Sequence, residues 1–123
     1  MSVRHLFPAA ACVQFTIRLG EPERNIEEVS RLIAAYRPAP DTLLVLPEMW
    51  ATGFDYARTA EMGRRTPEIL GAMQQMAAHH RVYLAGTLTA LSEDGSLPFN
   101  MLYLVGPGGV IGQLPKQQLF TFW

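Results

Sequence analysis

Hydrophobic spacing along the chain switches between strand-like and helix-like periods, and each switch marks an element. Residues 9 to 17, Ala-Ala-Ala-Cys-Val-Gln-Phe-Thr-Ile, predict a first strand that ends by Gly20. Pro22 suits the first turn of a helix, and Ile26, Val29, Leu32 and Ile33 recur behind it along one face until Pro38 and Pro40 stop the run. Asp41 to Leu46 reads as a fully buried strand that delivers Pro47 and Glu48 at its end.

A second helix is announced by Thr66 as N-cap and Pro67 at the first helical position, with Ile69, Met73, Met76 and Ala77 as its apolar face. The two methionines at that spacing read as core filler rather than ligands. Residues 82 to 89 predict a third strand, and Ser92-Glu93-Asp94-Gly95-Ser96 a turn. Phe99 to Val105 and Val110 to Leu114 predict two further strands, joined through Gly106-Pro107-Gly108-Gly109 as a hairpin. The order β-α-β-α-β followed by an antiparallel meander places the chain in the α/β class. No internal repeat, linker or low-complexity segment interrupts it.

Composition narrows the partners more than the fold. A chain of 123 residues predicts one domain, and 49% hydrophobic with 17% charged residues is ordinary for a globular protein. Ten Lys and Arg balance eleven Asp and Glu without forming a stripe, so small molecules or proteins are expected as partners and nucleic acid is not. The single cysteine, Cys12, excludes an intramolecular disulfide and fits a reducing compartment. No apolar run is long enough to span a membrane. The basic-then-apolar start at Arg4 to Ala11 is short and broken by Pro8, so the chain reads as cytoplasmic rather than secreted.

Two residues stand out chemically. Glu48 is an acid directly after an apolar strand, where it is either a surface carboxylate at a strand end or a catalytic base. Lys116 is a lone cation between the apolar meander and Leu119-Phe120-Thr121-Phe122-Trp123. A half-buried ammonium there calls for an anion, and Glu48 is a candidate; a snorkelling surface lysine is the alternative. The two side chains should then share one cleft at the ends of neighbouring strands. Other signals carry less. The glycines at 106 to 109 lack the ending of a phosphate loop and precede a strand. Adjacent His79 and His80 point about 100° apart on a helix and suit its C-terminal dipole better than a metal. No metal or cofactor is expected.

The segments Val13-Gln14-Phe15, Gly20 to Asn25, Leu46 to Phe54, Ala85-Gly86-Thr87 and Phe99-Asn100 resemble, in order, the nitrilase superfamily of carbon-nitrogen hydrolases. Leu114-Pro115-Lys116-Gln117-Gln118-Leu119-Phe120 is similar to that family's Tyr-Arg-Lys-x-His-Leu-Phe motif, with Leu, Pro and Gln in place of its Tyr, Arg and His. Within the family, Glu48-Met49-Trp50-Ala51-Thr52-Gly53-Phe54 resembles the omega-amidase branch, whose substrates are small dicarboxylic acid monoamides.

The resemblance implies half of an α-β-β-α sandwich with a mixed sheet, often associating through its helical faces into homo-oligomers. It also implies a site of three groups. A cysteine thiolate attacks the amide or nitrile carbon, a glutamate moves the protons, and a lysine stabilises the oxyanion. Glu48 matches the glutamate and Lys116 the lysine. The family's cysteine lies downstream of the lysine, whereas seven residues follow Lys116 here. Cys12, inside a predicted strand, is expected to be buried and slow to react.

Residues 1–123 are therefore expected to be the N-terminal portion of a carbon-nitrogen hydrolase domain, truncated before its nucleophile. Four large apolar side chains in the last five residues point the same way. The parent would be an amidase acting on small non-peptide amides, with this chain alone inactive. Two other functions fit the residues: a non-catalytic half-domain serving as an interaction or scaffold module, and a small-ligand binder using Glu48 and Lys116.

Overall fold

The computed structural model describes residues 6–117. The C-terminal run Leu119–Trp123 and the first residues of the chain lie outside them, as does Gln118. Five strands form one mixed sheet in the order β1-β2-β3-β4-β5: β1 (Ala10–Cys12), β2 (Leu43–Val45), β3 (Tyr83–Leu91), β4 (Pro98–Gly106) and β5 (Gly109–Pro115). The first three run parallel and the last three antiparallel. This is the β-α-β-α-β plus meander that the periodicity predicts.

Helix α1 (Pro22–Tyr36) starts on its proline and closes through Arg37 in the left-handed conformation. Helix α3 (Thr66–His80) closes the same way at Arg81, with His79 and His80 in its last turn. Both helices lie on one face of the sheet. Val29 and Ile33 from α1, with Ile69, Met73, Met76 and Ala77 from α3, bury against Leu44, Leu84, Leu88, Tyr103 and Val105. The methionines are core residues, as their spacing implies. Among the described residues no helix is long and apolar enough to cross a membrane.

Four local expectations need correction. The strand before Glu48 is buried on one face only: Leu44 is covered by the helices, while Val45 is 39% exposed on the other. An apolar run does not report which faces are covered, because alternate residues point to opposite sides. Cys12 belongs to that same uncovered face and is exposed, so the premise for its slow reactivity fails. The first strand is also shorter than residues 9 to 17, since the ladder to β2 ends at Cys12 with one further bond from Val13 N–H to Val45 O.

Thr66 is not a cap. Arg65 holds the N-cap position, and the Thr66 hydroxyl instead donates to Thr89 O of β3, tying the helix start to the sheet. A 3₁₀ turn (Tyr56–Arg58) and α2 (Thr59–Arg64) fill a stretch without apolar periodicity. Gly63 lets α2 approach β3 closely: a Cβ there would lie 2.7 Å from Leu91 Cγ.

Candidate active site

The loop after β2 is built by the core beneath it. Leu46 N–H still bonds Ala85 O at 2.8 Å, then Pro47, lacking an N–H, ends the pairing. Met49 takes a left-handed conformation (φ 53°), which turns the chain sharply just past Glu48. That conformation costs on the order of 1 kcal/mol or more in a non-glycine residue, so the surroundings must enforce it. They do so through Met49 N–H, which donates to Thr87 Oγ1 at 2.7 Å, and Met49 O, which accepts from Gly53 N–H at 2.8 Å.

Trp50 and Ala51 are fully buried, so the loop is pinned rather than draped. Gly86 makes room for the indole: a Cβ at that position would sit 2.7 Å from Trp50 Cδ1. Asn25, itself buried, reaches from α1 to donate to Ala51 O (2.7 Å) and Arg18 O (2.8 Å), and accepts from Arg18 N–H (2.8 Å). Gly20 N–H adds a bond to Thr52 O at 2.7 Å.

Lys116 arrives differently, one residue past the edge strand β5, with its N–H on Asn100 O at 2.8 Å. Its Nζ lies 2.6 Å from Glu48 Oε1. The same oxygen accepts from Asn100 Nδ2 at 2.8 Å. The structure thus brings the two singled-out residues together, though not from neighbouring strands: β3 and β4 lie between β2 and β5. They meet because β2 and β5 run in the same direction, so their C-terminal ends lie at the same end of the sheet, and the loop after β2 spans the gap.

The pair opens into a cleft of about 580 Å³ whose walls include Met49, Phe54, Met62 and Phe99. The side chains of Lys116 and Glu48 are 38% and 43% exposed, so the cleft is open to solvent along one side. The Lys116 ammonium holds the Glu48 carboxyl below the usual carboxylate range; partial burial opposes this, and the Asn100 amide adds to the lowering. A charged acceptor beside an ammonium in an apolar-walled cleft suits proton transfer and stabilisation of an oxyanion. Cys12 lines a different cavity, between β1 and α1, with Leu32, Ile33 and Tyr36. Among the described residues no group of three His, Cys, Asp or Glu side chains is placed to hold a metal.

Asn25, Thr87 and Asn100 shape this site, and sequence reasoning singled out none of them. Their signal is faint: each falls inside a segment that resembles the family, but no periodicity marks a polar residue whose partner is remote in sequence.

The family of carbon-nitrogen hydrolases matches residues 9–121. The chain is 30% identical over 115 residues to a 2-oxoglutaramate amidase from Bacillus subtilis, an alignment covering 89% of this chain and 42% of the relative. It is 31% identical over 116 residues to a nitrilase from Pyrococcus abyssi, covering 89% and 43%. The fold is similar to an amidase from Nesterenkonia sp. AN1, at a TM-score of 0.77 and 18% identity, covering 91% of this chain and 45% of that one. That structure is of a Glu-to-Gln variant and shows Michael addition of acrylamide at its active-site cysteine. The chain spans less than half the length of the curated relatives it matches.

Proposed function

The chain belongs to the carbon-nitrogen hydrolase family, and from that premise we propose that it supplies the base and the oxyanion cation of an amidase site. Glu48 is the base and Lys116 the cation. The nucleophilic thiol is contributed from outside these 123 residues, which then form the N-terminal portion of the catalytic domain. The observation that carries the reading is the 2.6 Å contact between Glu48 and Lys116 on the wall of one cleft.

The chemistry is written with its protons. The thiol gives its proton to Glu48 as sulfur attacks the amide carbon, and Lys116 faces the oxygen on which negative charge collects. As the C–N bond breaks, Glu48 returns that proton to the leaving nitrogen and ammonia departs, leaving a thioester. Glu48 then takes a proton from water as the water oxygen adds to the thioester carbon; the C–S bond breaks, the acid forms, and Glu48 returns the proton to the departing sulfur, restoring the thiol.

In the open cleft Lys116 holds the Glu48 carboxyl low, which makes it a weak base. A substrate carbonyl that draws Lys116 onto its oxygen weakens that hold, and the expulsion of water disfavours the charged form; both raise the carboxyl. The base would thus strengthen when substrate is bound.

Small dicarboxylic acid monoamides are the substrates to test first, supported by the 2-oxoglutaramate amidase relative and by the Glu48 to Phe54 stretch. The complete protein should release ammonia from such amides and lose this activity on thiol alkylation, whereas residues 1–123 alone should release none. A complete protein that yields no ammonia from monoamides or simple aliphatic amides would overturn the proposal.

A further inference from the structure

A carboxylate free to rotate presents two equivalent oxygens, but Glu48 does not. Among the described residues both of its hydrogen bonds fall on Oε1, from Lys116 Nζ at 2.6 Å and from Asn100 Nδ2 at 2.8 Å, and Oε2 receives none. Lys116 alone is a poor anchor, because an ammonium on a four-carbon stem can approach either oxygen. Asn100 is a better one. Its planar amide sits on β4, where Asn100 is paired with Thr89 inside the β3 ladder.

Asn100 also holds the other member of the pair, since its main-chain oxygen accepts the N–H of Lys116 at 2.8 Å. One residue therefore fixes the acid through its side chain and the cation through its backbone. The amide orientation follows from charge: turned over, it would aim a carbonyl oxygen at a carboxylate. In the orientation present, Asn100 Oδ1 is buried and has no partner among the described residues.

We propose that Asn100 is a positioning residue that assigns the two oxygens of Glu48 different tasks, anchoring Oε1 so that Oε2 faces the cleft as the proton-exchanging atom. The proposal rests on the reading of Glu48 as the base. The titratable groups lining the same cleft are Lys116, Asp55 and Tyr56, and Asp55 is paired with Arg58. Of these, Lys116 is the group that donates to Glu48, and its backbone bond to Asn100 O does not depend on the Asn100 side chain.

The test uses the complete protein with Asn100→Leu, which removes the amide donor at similar size, and Asn100→Ala, which removes it without adding bulk or charge. The Glu48 carboxyl is followed by ¹³C NMR titration, assigned by difference with Glu48→Gln, and kcat and KM are measured on a small amide. In both variants the titration midpoint should rise. The kcat should fall about tenfold to a hundredfold with KM nearly unchanged, as expected when a base is misaligned and substrate binding is left intact.

A merely structural Asn100 would leave the midpoint where it is, and an unmoved midpoint in either folded variant overturns the proposal. So does a raised midpoint with unchanged kcat. If Asn100→Leu does not fold, Asn100→Ala decides alone. The titration reads the Asn100–Glu48 bond whatever Glu48 does chemically, whereas full turnover by Glu48→Gln would remove the base reading beneath it.

Discussion

Glu48 and Lys116 meet in one ion pair, yet the chain holds them by opposite means. The loop that carries Glu48 is set from below, by a fully buried Trp50 and Ala51 and by Asn25 reaching across from α1. The strand that carries Lys116 is an edge strand whose residues from Val110 to Pro115 are all exposed, held by its ladder to β4 and by one bond to Asn100. The difference teaches that the position of the acid is a property of the hydrophobic core, whereas that of the cation is a property of a hairpin. A substrate able to draw charge across the site would therefore move the lysine and not the glutamate.

Trp50→Ala should break the comparison most severely if it is right. Removing a fully buried indole costs about 3 to 5 kcal/mol in comparable cores, to be read as a large drop in denaturation midpoint. A loss under about 1 kcal/mol would mean that the core does not set the loop. Asn25→Ala should cost less, about 2 to 3 kcal/mol, because it leaves Arg18 N–H and Ala51 O without their buried partner. Equilibrium unfolding in urea checks it.

On the other side of the comparison, Lys116→Met should cost under about 1 kcal/mol, since solvent screens a pair as exposed as this one. Its sign with pH is fixed. The Glu48 carboxyl is lowered in the folded state, so the pair contributes fully above the unfolded carboxylate value of about 4.3. That contribution is lost as pH falls through the lowered folded value. Unfolding curves of the two proteins should therefore differ at pH 7 and converge in acid; a gap that widens in acid would contradict the assignment. Smallest of all, Val110→Thr on the exposed edge strand should stay within about 0.5 kcal/mol in a thermal melt.

Much of this architecture could be read from spacing. The two long helices announce themselves through Pro22 and Pro67 and through apolar residues three and four apart, and the hairpin through its Pro-Gly turn. Reading failed where structure depends on neighbours remote in sequence. Nothing in Tyr56 to Arg64 marks helix, because that stretch is held by packing of Met62 and Gly63 beneath it. Val45 and Cys12 look like core residues and are not, since a strand does not encode which of its faces is covered. Thr66 carries a cap's chemistry but spends it on β3.

The site divides in the same way. Glu48 is conspicuous as a charge bordered by apolar residues, and Lys116 as a lone cation between two apolar stretches. Thr87, Asn25 and Asn100 are ordinary polar residues whose importance exists only once β3, α1 and β4 are in place around the loop. Family resemblance contains those residues as letters in a motif, and only the hydrogen bonds say what each letter does.

The central claim, that Glu48 moves the protons of amide hydrolysis, is tested most directly by steady-state kinetics of Glu48→Gln in the complete protein. Gln nearly matches Glu in shape but cannot accept a thiol proton, and loss of a general base typically lowers the rate by roughly 10² to 10⁴. The account predicts a loss of kcat in that range toward a small amide, with a circular dichroism spectrum like that of the unaltered protein. A folded Glu48→Gln protein with near-normal turnover would contradict it.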